Sequence, residues 1–208
     1  MAAIHCSLFY LYQISVPILW DKHNNKIICN GSAQLATTLA TDWLTLATRK
    51  SELVPKSLAN SVKELNEWLH KNINRKIYQV GFATRQEDYD REVTVLFDAL
   101  VILEKRLESS TYLLGSELTL SDFFLFPSLV RFETVYTVHF RANKTTLRDY
   151  PSLWRYMLNL LTREKLRNTI HMRHILQHYY LSHRHINPFG IIPAGPQPEW
   201  IAQYGLMN

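Results

Sequence analysis

Cysteine is scarce in this chain. Only Cys6 and Cys29 occur in 208 residues, with no C-x-x-C pair. That argues against a disulfide scaffold and predicts a reducing, cytoplasmic setting. No apolar run approaches the roughly 20 residues that cross a bilayer, so no membrane partner is expected. The opening MAAIHCSLFYLYQI has an apolar patch but neither a basic flank nor a small-residue cleavage site. It reads as structure rather than as a secretion signal. Strong charge is also lacking: 23 basic against 18 acidic residues leave a net +5. That surplus is compatible with anionic ligands, but it forms no concentrated basic stripe of the kind nucleic acid requires. There is no internal repeat and no low-complexity segment. What is present, 47% hydrophobic and 20% charged residues, is ordinary for a globular protein of one large domain, or of one domain with an appendage.

The stretch Leu113–Met157 organises the rest. Thr119 is a helix N-cap, and Asp122, three residues on, can reach back to the cap's own N–H. A carboxylate there also suits the helix dipole. The residues that follow are apolar on nearly every side: Phe123, Phe124, Leu125, Phe126, Leu129, Val130, Phe132 and Val135. Such a helix belongs in the middle of a bundle. Pro127 within it predicts a bend, and a bent central helix leaves a gap that can hold a ligand.

Before that stretch, Ile18–Trp20 and Lys26–Cys29 read as a hairpin joined by an Asn-rich turn, with Pro17 at the first strand position. Ser32 caps a predicted helix from Ala33 to about Leu46. Two strands and a helix are too little to stand alone. After a polar connector, Val62, Leu65, Trp68, Leu69 and Ile73 mark a helix, and Asn72–Thr84 reads as a break. The Gln86–Leu107 segment is the clearest helix, with a stripe of Tyr89, Val93, Leu96, Phe97, Leu100, Leu103 and Leu107. Beyond the central helix come a basic loop (Arg141, Lys144, Arg148) and a helix opened by Tyr150-Pro151. A basic helical stretch runs from Arg163 to about Gln177. From Tyr179 onward the prolines and glycines predict an extended tail.

These features resemble a glutathione transferase, and several motifs narrow the resemblance. Val16-Pro17-Ile18-Leu19-Trp20-Asp21-Lys22, Gly81-Phe82-Ala83 with Gln86 and Tyr89, and Val130-Arg131-Phe132 with Val135-Tyr136 and His139-Phe140 are among them. So is His178-Tyr179-Tyr180 with Ser182-His183 and Ile186-Asn187-Pro188. Together they are similar to the glutathionyl-hydroquinone reductases, the Xi-class, omega-like glutathione transferases. The resemblance covers nearly all of Val16 to Pro196. It implies a mainly α fold: a glutathione-transferase C-terminal helical bundle (51–180) preceded by a partial thioredoxin-like β-β-α fragment (1–50) and followed by an extended tail (181–208). It implies a homodimer that uses glutathione as co-substrate and quinone-like small molecules as substrates, with no metal. Glutathione binding is implied for Val16, Pro17 and Ser32, and an aromatic-substrate pocket for Tyr136, Tyr179 and Tyr180.

In that family a Cys-Pro-Trp thiolate attacks the glutathionyl adduct of a hydroquinone, and a second glutathione reduces the resulting mixed disulfide. That chemistry needs a low-pKa thiolate. No Cys-Pro-Trp occurs in this sequence, so no catalytic residue is assigned and thiol-dependent activity is expected to be impaired. Under the resemblance, the chain starts after the strand and helix that carry the nucleophile. Gly31 stands where the family has Glu, and Val54 where it has a tyrosine before Pro55. Two alternatives follow: a non-catalytic aromatic-ligand-binding or dimerising protein, or an incomplete gene model of an active enzyme. The residues themselves leave other choices open. Tyr136 suits a pocket hydroxyl or a core tyrosine with a satisfied OH, and Tyr179 and Tyr180 suit a pocket or an anchor for the tail. His171, His174 and His178 share a helix face but lack a fourth zinc ligand. Cys29 fits a small buried strand residue.

Overall fold

A computed structural model describes residues 16–48 and 51–207. The segment containing Cys6 lies outside the described residues. The chain forms two compact units, Met1–Lys56 and Ser57–Asn208.

In the first unit, β1 (Leu19–Asp21) pairs antiparallel with β2 (Lys26–Cys29), with an irregularity between Leu19 and Trp20. The predicted hairpin is present, but its first strand starts at Leu19, so Pro17 precedes the strand instead of opening it. The turn is held by Asp21, whose carboxylate accepts the His23 and Asn24 N–H groups at 2.9 and 3.0 Å. Asn25 takes the left-handed conformation (φ 54°), which asparagine tolerates better than most residues. Helix α1 spans Ser32–Ala40 and stops at Thr41; Leu46 is reached only through a separate 3-10 turn, Asp42–Leu46. The N-cap is Gly31, without a side-chain hydrogen bond. Ser32 is therefore the first helical residue and not the cap its residue type suggests.

The second unit is all helical. Helix α2 (Ala59–Leu69) passes through a π turn (His70–Asn74) into α3 (Arg75–Gly81). This overturns the expected break at Asn72–Thr84. Ile73, Ile77 and Val80 continue the buried stripe of Leu65 and Leu69. The two asparagines that read as breakers are satisfied within the helix and across it. Asn72 donates to the Trp68 carbonyl, and Asn74 donates to the Phe124 carbonyl and the Ser128 hydroxyl, each at 2.9 Å. Helix α4 (Gln86–Leu107) buries its predicted stripe from Val93 to Leu107.

Helix α5 (Leu120–Arg131) lies at the centre and has the predicted capping box. Asp122, 1% exposed, does more than cap. It accepts the Thr119 N–H (2.8 Å) and hydroxyl (3.1 Å), the Leu113 N–H (3.1 Å) and the Tyr156 hydroxyl (2.8 Å). A buried carboxylate is tolerable only with partners of this kind. Pro127 sits inside α5, bracketed by the two groups that Asn74 bonds. The helix then gives way to a second π turn, Phe132–Tyr136. Helix α6 (Pro151–Thr162) starts on Pro151, and its first-turn N–H groups at Ser152 and Leu153, which have no acceptor within the helix, donate to Glu104 of α4 at 2.9 and 2.8 Å. One helix thus supplies the other's cap.

The expected continuous helix from Arg163 is instead α7 (Glu164–Arg167) and α8 (Met172–Ser182), parted by a turn. The Pro-rich segment beyond contains α9 (Glu199–Gln203), whose Trp200 and Ile201 join the core together with Leu206. The apolar pull of those three side chains outweighs the breakers around them.

Candidate functional site

The residues singled out in the sequence fall in both units. In the first, the Val16–Pro17 peptide is cis and Val16 is exposed. Ser32 is exposed at the start of α1. The first intrahelical bond is Leu35 N–H to the Gly31 carbonyl at 2.8 Å, so the N–H groups ahead of it have no helical acceptor. Cys29 is buried, and its Sγ lies 3.4 Å from both the Gly31 N and the Gln34 Oε1. These contacts are those of a packed thiol, not of a group offered to solvent.

In the second unit, Tyr136 and Tyr179 meet. Tyr136 ends the π turn after α5, Tyr179 lies on α8, and their hydroxyls are 3.2 Å apart. A third tyrosine joins them: Tyr78 of α3 places its hydroxyl 2.6 Å from that of Tyr179. Burial raises the pKa of all three well above the usual phenol range, and the neighbouring tyrosines reinforce the shift on Tyr78 and Tyr179. They therefore remain protonated, as neutral donors and acceptors. Tyr180 does not share this cluster. One residue along a helix turns the side chain by about 100°, and its hydroxyl donates to the Thr134 carbonyl at 3.0 Å. Burial pushes its pKa up to about 12.

Aromatic rings pack the cluster from behind. Phe140 stacks on Tyr136 with an interplanar angle of 3°. It lies so close to Gly81 that a Cβ there would come within 2.2 Å of its ring. Glycine is required at this position by space. Beside Phe140, His139 Nε2 and His183 Nδ1 are 3.1 Å apart. Burial, and then the charges of His183, His185 and Arg141, push His139 down to about 4. His183 is lowered by burial and by His178 and His185. Two hydrogen-bonded imidazoles facing other cations favour the neutral pair.

The three histidines noted on one face separate in the structure. His171 and His174 lie near each other, whereas His178 packs against Tyr179 and His183. Among the described residues no group of three or more His, Cys, Asp or Glu side chains is arranged to hold a metal ion. No helix among them is long and apolar enough to cross a membrane. Tyr78 is absent from the residues the sequence points to, because the local preferences of Asn72–Thr84 predict a break where the structure has α3. The spacing Ile73, Ile77, Val80 is the signal for the helix that carries Tyr78.

The glutathione S-transferase C-terminal domain model matches residues 86–158. The chain is 37% identical over 202 residues to glutathionyl-hydroquinone reductase YqjG of Escherichia coli (strain K12), covering 97% of this chain and 62% of that protein. The glutathione-bound structure of YqjG matches with a TM-score of 0.84, over 89% of this chain and 60% of that one. Glutathionyl-hydroquinone reductase PcpF of Sphingobium chlorophenolicum is 36% identical over 187 residues, 90% of this chain and 60% of the relative. Glutathione transferase Xi 1 of Trametes versicolor matches with 37% identity and a TM-score of 0.86, over 91% of this chain and 67% of that one. The chain thus spans about 60% of the length of the curated relatives it matches. A helical bundle built on the Thr119–Asp122 capping box, the paired Tyr136 and Tyr179, and this breadth of likeness lead to one conclusion: the chain belongs to the Xi-class glutathione transferases, the family of the glutathionyl-hydroquinone reductases.

Proposed function

We propose that this chain binds glutathione and quinone-like aromatics and that, by itself, it has little or no thiol-dependent reductase activity. The observation that carries the reading is the meeting of Tyr136 and Tyr179 at 3.2 Å, hydroxyl to hydroxyl, in a neutral aromatic cluster. Paired neutral phenols suit a ligand with a phenolic or quinoid oxygen, because each hydroxyl both donates and accepts. Tyr180, bonded to the backbone, holds α8 against the π turn and so supports Tyr179. Glutathione is supported by its presence in the YqjG structure. Val16, Pro17 and Ser32 are its expected contacts, with a carboxylate accepted by the open N–H groups at the start of α1.

The family reaction converts a glutathionyl-hydroquinone and glutathione into the free hydroquinone and glutathione disulfide. The carbon–sulfur bond breaks, a sulfur–sulfur bond forms, and the ring carbon takes a proton. The relay needs a thiolate that first attacks the adduct's sulfur. These 208 residues contain no Cys-Pro-Trp, and Cys29 is buried. The tyrosine cluster stands here without the nucleophile motif, which favours a binding role for the chain alone. A homodimer in the cytoplasm is the matching assembly, tested by light scattering and by localisation of a tagged chain.

The test has two arms. Glutathione, and separately methylhydroquinone, should raise the thermal midpoint of the purified chain, because a ligand that binds the native state stabilises it. Incubation with glutathione and a glutathionyl-hydroquinone should release no hydroquinone above the protein-free rate. A clear product peak overturns the inactive reading, and no midpoint shift with either ligand overturns the binding reading.

A further inference from the structure

We propose that the polar cleft bounded by the π turn after α5, the loop before α6 and the start of α9 binds a small primary ammonium ion, with Glu133 as its counter-ion. The cleft lies within the helical unit, and its lining shares no residue with the tyrosine cluster.

The cleft has a volume of about 300 Å³, at the small end of the range that holds organic ligands. Glu133, on the π turn, is half-buried and lines it. Among the described residues its carboxylate has no hydrogen-bond or ion-pair partner. Burial raises its pKa, Arg148 lowers it and Glu199 raises it again. Arg148 and Glu199 already pair with each other, and the Arg148 guanidinium lies 4.7 Å from the centre of the Trp154 ring. Two carboxylates against one guanidinium leave the cleft with one negative charge. A carboxylate drawn out of water without a partner costs free energy, and a cation beside it offsets that cost. The neighbouring polar groups call for a donor. The Thr137 hydroxyl donates to the Glu133 carbonyl at 2.6 Å, the Thr146 hydroxyl to Asp149 at 3.0 Å, and the Gln197 amide nitrogen to the Ala194 carbonyl at 3.1 Å. With those protons directed into the protein, the three side-chain oxygens remain as acceptors. A primary ammonium group brings a full charge and three N–H donors to them, and hydrogen bonds to ions are the strong ones. A metal ion fits poorly, because no group of three or more His, Cys, Asp or Glu side chains among the described residues is arranged to hold one.

Titration of the isotope-labelled full chain with n-butylammonium chloride, followed by amide NMR, tests this. Butyltrimethylammonium is the comparison probe, because it keeps the charge and loses every N–H donor. Butylammonium should produce saturable shifts at Gln197 and Thr146. The trimethyl probe should bind about tenfold more weakly, the loss of roughly one charged hydrogen bond. Glu133→Gln keeps the shape and removes the charge, so it should weaken butylammonium by at least about tenfold. Glu117→Gln alters an exposed carboxylate outside the cleft and should leave binding unchanged. Equal affinity for the two probes overturns the proposal, because charge alone then attracts the ligand. Affinity retained in Glu133→Gln, or lost to the same extent in Glu117→Gln, overturns the role of Glu133. The absence of any saturable shift overturns the site itself. The probe comparison uses the unsubstituted chain, so it decides the matter even where Glu133→Gln fails to fold.

Discussion

The two units of this molecule solve the same problem with different resources. In the helical unit, side chains from α2 to α9 bury one another in a single continuous core. In the described part of the first unit, Cys29 is the one buried apolar side chain, and α1 buries none. The strands are three and four residues long and form a two-stranded sheet. Isolated pairs of such strands are marginal in water, whereas a bundle of this size gains from every helix it adds. Stability should therefore reside in the helical unit, and substitutions of equal chemical violence should cost far more there.

The largest expected effect is at Asp122. Replacing it by alanine strands the Tyr156 hydroxyl and the Leu113 and Thr119 N–H groups in the interior. Asp122→Ala should lower unfolding stability by about 3–5 kcal/mol, read from urea melts followed by far-UV circular dichroism. A loss below about 1 kcal/mol would mean that α5 is not the centre of the fold. Next is Gly81→Ala, whose Cβ collides with the Phe140 ring and Cβ. Overpacking of this kind costs about 1–3 kcal/mol. It should also alter the near-UV dichroism of the tyrosine cluster while the helix content stays constant.

Acid should act in the same place, less strongly. His139 in the folded state lies near 4, below the free imidazole value of about 6.5. The unfolded chain therefore binds the proton more tightly. Stability should be unaffected above pH 6.5, fall as pH drops through that value, and level off near 4, for a total of at most about 3 kcal/mol, less where solvent screens the imidazole. His139→Phe should remove that slope, and a slope that persists would assign it elsewhere. The smallest effect belongs to the first unit. Leu46 is 78% exposed, and Leu46→Ser should leave the midpoint within about 0.5 kcal/mol. A loss rivalling that of Gly81→Ala would break the contrast between the units.

Much of this architecture is legible from local rules. The capping box at Thr119 and Asp122, the α4 stripe and the hairpin turn at Asp21 each follow from residue type and spacing. The failures share a cause. Asn72, Asn74 and Gly81 read as a loop because their local preferences favour one. Yet Asn74 is satisfied fifty residues away at Phe124, and Gly81 exists to admit Phe140. The tail reads as extended because its prolines dominate the local pattern, but Trp200, Ile201 and Leu206 find the core. In each case a distant partner reversed a local preference.

The site divides along the same line. Tyr136, Tyr179 and Tyr180 stand out in the sequence as a family motif, and the sequence also determined the apolar stripes, the central helix and its cap. Only the tertiary structure decided which hydroxyls meet. Adjacent residues on α8 point about 100° apart, so Tyr179 reaches Tyr136 while Tyr180 turns to the Thr134 carbonyl. Tyr78 enters the cluster because a π turn carries α2 onward into α3 and delivers its side chain beside Tyr179. Spacing along the chain sets the direction of a side chain on its own helix; what it touches depends on where the other helices pack.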